Sequence, residues 1–106
     1  MSSQQVERVT LFKIADVKAQ EEILSKYKAI KANALKDGKT YIVSVKAGHT
    51  ESDNRNQGFT IVANTTFASQ EDFEYYDKYC EAHKALREFA KTVHQGSMMV
   101  YYRSVV

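Results

Sequence analysis

Apolar and polar residues alternate along the chain in a way that predicts four β-strands. Residues 6–14, VERVTLFKI, are rich in β-branched and apolar side chains, which is typical of a strand. Residues 40–46 and 59–67 alternate with the period of two that puts one set of side chains on each face of a sheet. Residues 97–105, SMMVYYRSV, form the last predicted strand. The polar segment GHTESDNRNQG lies between the second and third strands and is expected to be a solvated loop.

Two further segments have the spacing of amphipathic helices. In the first, Asp16 is a suitable N-cap and Gly38 a suitable residue at the C-terminal end. Its apolar positions recur at helical spacing: Val17, Ile23, Leu24, Tyr27, Ile30 and Ala34. The second helix is predicted to begin after Ser69, where Asp72 completes a pattern resembling a capping box, and to continue to about His94. The predicted order of elements is therefore βαββαβ.

The second predicted helix has two neighbouring stripes of side chains. The more apolar stripe is expected to face the core and comprises Tyr75, Tyr79, Ala82, Leu86, Phe89 and Val93. The adjoining, more polar stripe comprises Phe73, Tyr76, Cys80, His83 and Arg87. The residues expected to be largely buried between helices and sheet are Leu24, Tyr27, Phe59, Ile61, Phe67, Leu86 and Phe89.

The order βαββαβ predicts an α+β fold of the ferredoxin-like type. Right-handed crossovers would put both helices on one face of a four-stranded antiparallel sheet, which leaves the other face bare. Neither set of alternating strand residues is fully polar, and a large exposed apolar face is unfavourable for a monomer. We therefore expect a homodimer in which a second sheet covers this face. At 106 residues, the chain is expected to form one domain, residues 1–106.

The composition argues against several classes of partner. The 15 Lys and Arg and 13 Asp and Glu residues are interspersed and give a formal net charge of +2, which does not favour nucleic acid. The start, MSSQQVER, lacks the features of a signal peptide, and no run approaches the roughly 20 apolar residues that span a bilayer, so no membrane partner is expected. A single cysteine, Cys80, cannot form an internal disulfide, which suits a reducing, cytoplasmic location.

Several segments resemble the stress-responsive A/B-barrel family. They are VTLFKI in the first strand, QGFTIVANTTF in the third, its continuation SQEDFEYY, and the pair Ala82-His83 before LREF. The resemblance extends from about Val6 to Tyr102 and implies a ferredoxin-like unit whose sheets close into a dimeric α+β barrel. It also implies one of two functions. The protein would be either a stress-induced dimer without catalysis or a cofactor-free enzyme, like the plant polyketide cyclases and a fern hydroxynitrile lyase of this family.

The resemblance also implies roles for particular residues. In cyclase-like members the histidine of the A-H pair is a general base, and a tyrosine about two turns earlier lies beside it. His83 matches that histidine, and Tyr76 matches the tyrosine with one extra residue between them. Tyr27 aligns with a tyrosine of the cyclase pocket, and Arg8 stands where a first-strand histidine is common. The candidate catalytic residues are thus His83 and Tyr76, and the candidate ligand-binding residues are Tyr27, Leu24, Arg8 and Phe59.

The chemistry open to these residues is proton transfer. An imidazole near its ordinary pKa of about 6.5 can take a proton α to a carbonyl, and Tyr76 or Tyr27 could donate a hydrogen bond to the resulting enolate. The sequence contains no cofactor motif and no metal-ligand spacing such as C-x-x-C, so neither a cofactor nor a metal is expected. Ring closure, dehydration and lyase cleavage on a small hydrophobic or polyketide-like ligand remain possible. Cys80 is expected to be a buried filler, and His49 and His94 to be solvated.

Two other interpretations stay open. A non-catalytic stress-responsive dimer would have the same fold, and fold alone does not separate it from an enzyme. The RNA-recognition motif shares the order βαββαβ and would use Phe59 as a stacking residue. Ile61 in place of a second aromatic residue, Gln57 in place of a basic one, and the low net charge disfavour that motif.

Overall fold

The computed structural model describes residues 4–106 and contains a four-stranded antiparallel sheet with three helices on one face. In chain order the elements are β1 (Val6–Lys13), α1 (Val17–Asn33), β2 (Leu35–Lys36), β3 (Lys39–Thr40), β4 (Ile42–His49), β5 (Ile61–Phe67), α2 (Gln70–Lys78), α3 (Glu81–Val93) and β6 (Gly96–Tyr102), with a 3₁₀ turn at Asn54–Asn56. The sheet order is β4-β5-β1-β6, and β2 and β3 form a separate hairpin. This arrangement confirms the predicted ferredoxin-like α+β fold. Within residues 4–106, no helix is both long and apolar enough to cross a membrane.

The first helix begins where the sequence predicts and ends earlier. The Asp16 side chain accepts a hydrogen bond from the Ala19 amide at 3.3 Å, which caps α1. The helix stops at Asn33, and Gly38 instead lies in the two-residue turn of the β2–β3 hairpin. Asp37 and Gly38 have φ angles of 53° and 76°, the left-handed region that Asp-Gly adopts readily in such turns. The prediction that Gly38 terminates the helix was therefore wrong.

The second predicted helix is two helices, with a break at Tyr79 and Cys80. The amides of both residues donate to the Tyr75 carbonyl oxygen, at 2.8 and 3.0 Å. Cys80 then takes an extended conformation and starts α3. The break changes which side chains face the sheet, because the two halves no longer share one helical phase.

The stripe assignment for this region was consequently wrong in part. Phe73, Tyr76, Cys80 and His83, expected on the more polar stripe, are buried. Tyr79, expected in the core, is 69% exposed.

The predicted core is largely present between the helices and the sheet. Tyr27, Ile61, Phe67 and Leu86 are buried, while Leu24 and Phe89 are partly buried against the same cluster. Phe59 departs from the prediction because β5 begins at Ile61. Its ring is only partly covered and lies 4.9 Å from the Lys13 ammonium.

The other face of the sheet carries apolar side chains that no helix within residues 4–106 covers. Alternation along β1 points Arg8 toward the helices and Val9 and Leu11 away from them. Val9 pairs with Val100 and Leu11 with Met98 on β6, which makes one continuous apolar strip. Val100 is 52% exposed and Tyr102 50%. The single chain therefore leaves open the face that the sequence predicted to be bare.

Candidate functional site

His83 lies in the first turn of α3 and is only 3% exposed. Its Nδ1 lies 2.9 Å from the Tyr76 carbonyl oxygen, so Nδ1 carries the proton and donates. In an unbroken helix the Cys80 amide would bond that carbonyl, but it bonds Tyr75 instead. The break between α2 and α3 thus frees the Tyr76 carbonyl oxygen for His83. No described residue hydrogen-bonds to Nε2, which leaves that nitrogen as the available acceptor.

The Tyr76 ring supports the imidazole from one side. The two rings stack with centroids 3.9 Å apart and planes 18° from parallel. The Tyr76 hydroxyl is buried without a hydrogen-bond partner among residues 4–106, and burial is the main cause that raises its pKa. Tyr76 therefore holds and orients His83 through its ring and its backbone carbonyl.

Arg8 is fixed beside this pair by two hydrogen bonds. Its Nη2 lies 3.0 Å from Oδ1 of Asp77, and its Nη1 donates to the Thr10 hydroxyl at 2.9 Å. The guanidinium carbon lies 5.3 Å from the centre of the Tyr76 ring. Arg8 is 8% exposed, so its charge acts in a region with little solvent screening.

A cavity of about 240 Å³ opens next to His83, between α1, α3, β1 and β6. Its polar lining includes Arg8, Thr10, Tyr27, His83 and Arg87. Its apolar lining includes Phe12, Leu86, Met98 and Met99. A concave, mostly apolar space with a few converging polar groups is the usual form of a small-molecule site.

The surroundings of the cavity change the acid–base properties of its two central groups. The pKa of His83 is lowered to about 4, mainly by burial and also by the charges of Arg8 and Arg87, while the hydrogen bond to the Tyr76 carbonyl and the charge of Asp77 oppose the shift. The imidazole is therefore neutral at pH 7, and its pKa is well below the ordinary value expected from the sequence. Burial raises the pKa of Tyr27 to about 12, although Arg8 opposes this, so its hydroxyl remains a donor.

The structure brings together three of the predicted site residues, Arg8, Tyr27 and His83, around one cavity. Tyr76 stands behind His83 and does not line the space. Leu24 lines a separate groove between α1 and β4, which Tyr27 also borders. Phe59 lines neither the cavity nor this groove.

Sequence reasoning missed part of the lining: Arg87, Lys91, His94, Met98 and Met99. His94 was expected to be solvated, but it is half-buried, its ring centre is 5.8 Å from that of Phe12, and its Nδ1 is buried without a partner among residues 4–106. Arg87 was readable in principle, because it follows His83 by four residues and so shares its helix face.

Cys80 and the acidic residues suggest no further chemistry at this place. Cys80 is buried in the core cluster and does not line the cavity. Across residues 4–106, no three His, Cys, Asp or Glu side chains are grouped so as to hold a metal ion.

Residues 6–103 match the family of the stress responsive A/B barrel domain. The chain belongs to this family. A curated member from Gibberella zeae, the Fusaristatin A biosynthesis cluster protein, is 34% identical over 99 residues, which cover 92% of this chain and 72% of that protein. Family membership favours the A/B-barrel interpretation over the RNA-recognition motif.

Solved structures share the fold of this A/B-barrel chain. The hydroxynitrile lyase of Passiflora edulis superposes with a TM-score of 0.79 at 16% identity, covering 95% of this chain and 94% of the lyase. SnoaB, a cofactor-independent oxygenase from Streptomyces nogalater, gives 0.73 at 10% identity over 98% and 96%. A dimeric ferredoxin-like protein of unknown function from Bacteroides fragilis gives 0.73 at 16% identity over 98% and 100%.

Proposed function

We propose that this A/B-barrel protein is a homodimeric, cofactor-free acid–base enzyme of the cyclase, dehydratase or lyase type. Its cavity would bind a small hydrophobic or polyketide-like ligand. One observation carries the proposal: the Tyr76 carbonyl holds the His83 Nδ1 proton at 2.9 Å, so Nε2 is left as a base beside the cavity. The relationship to a biosynthesis cluster protein supports a role in making a small molecule.

In the proposed reaction, Nε2 of His83 takes a proton from a carbon α to a carbonyl. The C–H bond breaks, an N–H bond forms, and the electron pair moves to the carbonyl oxygen as an enolate. The Tyr27 hydroxyl donates a hydrogen bond to that oxygen, and the charge of Arg8 stabilises it. The enolate then attacks a second carbonyl or expels a leaving group.

The low pKa of His83 suits the second half of this reaction. An imidazolium next to Arg8 is strongly acidic, so it returns its proton readily to an alkoxide product or to a leaving group. The neutral imidazole is a weaker base than an ordinary histidine, so the substrate must be an already acidic carbon, such as one between two carbonyl groups.

The homodimer is part of the proposal because a second copy would cover the apolar side chains of the open sheet face. These are Val9, Leu11, Met98, Val100 and Tyr102. The dimeric ferredoxin-like protein with a similar fold supports the same assembly. We place the protein in the cytoplasm because its one cysteine, Cys80, is a free thiol in the core.

A screen of poly-β-keto thioesters and acids for accelerated cyclisation or dehydration tests the proposed function. The parent should be active, and His83→Ala should lose roughly 10² to 10⁴ in rate while it stays folded. Tyr27→Phe should lose less, because only one hydrogen bond to the oxyanion is removed. Tyr76→Phe is the matched control, since its hydroxyl does not reach the cavity, and its rate should stay near that of the parent.

The competing function, a stress-responsive dimer without catalysis, has its own signature. It would be supported if the parent turned over none of these compounds and His83→Ala only destabilised the fold. The stacked, hydrogen-bonded position of His83 is the observation that favours it.

A further inference from the structure

The walls of the cavity carry an excess of positive charge. Arg8, Arg87 and Lys91 line it, and among residues 4–106 no Asp or Glu does. Among the described residues, Asp77 is the one carboxylate that reaches this group, and it bonds Arg8 from outside the lining. No described carboxylate lies within 4 Å of Arg87 or Lys91. Half-buried Arg87 and exposed Lys91 therefore bring to the cavity charge that no described carboxylate neutralises.

Structural roles account for part of this charge. Arg87 donates from Nη1 to the Asp77 carbonyl oxygen at 2.9 Å, which ties α3 to the end of α2. Lys91 lies in the last turn of α3, where a cation stabilises the helix dipole. The bond from Arg87 uses one of five guanidinium donors and leaves its charge without a carboxylate. These roles do not explain why both side chains face the same space as Arg8.

Arg8 gives a second, independent indication of a ligand. It is 8% exposed and lines the cavity, yet its Nε is buried with no hydrogen-bond partner among the described residues. Buried donors without partners are rare because each costs the free energy of desolvation. The bonds to Thr10 and Asp77 use one donor each on Nη1 and Nη2, so the guanidinium keeps further donors that an oxyanion in the cavity could accept from. Arginine is also the side chain whose planar fork matches a carboxylate.

We propose that the cavity recognises a small carboxylic acid, bound as its carboxylate near Arg8 and Arg87, with its apolar body against Phe12, Leu86 and Met99. The inference rests on the proposed function in taking this cavity as the ligand site. The volume of about 240 Å³ lies just below the range of about 300 to 1,000 Å³ typical of drug-sized ligands, which limits the acid to a compact molecule. The same positive charge would favour the enolate formed in the reaction.

Binding of 3-phenylpropanoate and of its neutral isostere 3-phenylpropanamide tests the proposal. The ¹³C-methyl NMR signal of Met99 reports occupancy of the cavity, because Met99 pairs with Thr10 and shares its helix-facing side of the sheet. Met98 pairs with Leu11 on the open face, so its signal is the control. We expect the carboxylate to bind about tenfold or more tightly than the amide, which is the difference that a charge-assisted hydrogen bond makes. Added NaCl should reduce the difference.

Matched variants locate the effect. Arg87→Gln should remove most of the preference for the carboxylate, Lys91→Gln should reduce it, and Arg87→Lys should keep part of it. Lys84→Gln removes the same charge from an exposed position of α3 outside the cavity and should change nothing. Thermal unfolding of each variant checks that the fold is kept.

Three results would overturn the proposal: equal affinity for acid and amide, loss of the preference in Lys84→Gln as well, or no shift of the Met99 signal with either compound. These failures are distinct from failure of the proposed function, because binding is measured without turnover. Equal affinity with intact His83-dependent turnover rejects only the carboxylate. A clear carboxylate preference without any turnover rejects only the catalysis.

Discussion

His83 combines burial, a stacked tyrosine and a nearby guanidinium, and this combination makes the stability of the protein depend on pH. Its pKa is about 4 in the folded chain and about 6.5 when unfolded. The unfolded state therefore binds more protons between these values, and stability rises with pH across that window. The contribution of the neutral imidazole is fully present above about pH 6.5 and is lost as the pH falls to about 4.

Urea denaturation at several pH values checks this. His83→Gln keeps a donor for the Tyr76 carbonyl but does not titrate. Between about pH 6.5 and 4, the free energy of unfolding should therefore fall less in this variant than in the parent, and the difference should reach up to about 3 kcal/mol. Parallel curves for the parent and His83→Gln would show that His83 titrates normally.

The sequence predicted some of the residues that the structure places around the cavity. The resemblance pointed to His83, through the A-H pair, and to Arg8 and Tyr27. These three residues lie in a helix or a strand, where regular spacing along the sequence indicates which side chains share a face. The depressed pKa of His83 was not readable, since it depends on the distance between β1 and α3. The supporting rather than hydrogen-bonding position of Tyr76 was also hidden, because it follows from the break before Cys80.

The break between α2 and α3 positions His83, because it frees the Tyr76 carbonyl oxygen that accepts the Nδ1 hydrogen bond. Residues 69–94 contain no glycine or proline, so local propensity gives no sign of an interruption. Tertiary packing, of α2 against β1 and β5 and of α3 against α1, is not visible in the local sequence. In contrast, the Asp37-Gly38 turn was readable in principle, because this dipeptide is a strong hairpin signal, although Gly38 was predicted to end α1.

The orientation of α3 can be tested through Leu86, which is buried between this helix and the rest of the core. Leu86→Ala should lower the free energy of unfolding by about 2 to 5 kcal/mol, as deletions of buried leucine side chains do. Leu35→Ala, at an exposed position, should cost less than about 0.5 kcal/mol. A loss below about 1 kcal/mol for Leu86→Ala would mean that α3 does not pack as described.

At the scale of the whole molecule, the open sheet face predicts the dimer. Val100→Asp puts a charge in the middle of the apolar strip, so it should give a folded monomer where the parent is a dimer. Val17→Asp is the matched control, because Val17 is exposed at the start of α1, where a negative charge is favourable. Sedimentation velocity measures all three proteins. A monomeric parent, or a dimer that Val100→Asp leaves intact, would show that this face is not the interface.

The account as a whole depends on His83 removing a proton from a bound carbon acid. Exchange of the α-protons of β-keto acids and 1,3-diketones in D₂O, followed by NMR, measures that step without knowledge of the complete reaction. The parent should accelerate exchange of at least one such compound by roughly 10² to 10⁴ over folded His83→Ala, with the rate rising through about pH 4 to a plateau at neutral pH. Equal exchange rates with the parent and with His83→Ala across the series would contradict the account.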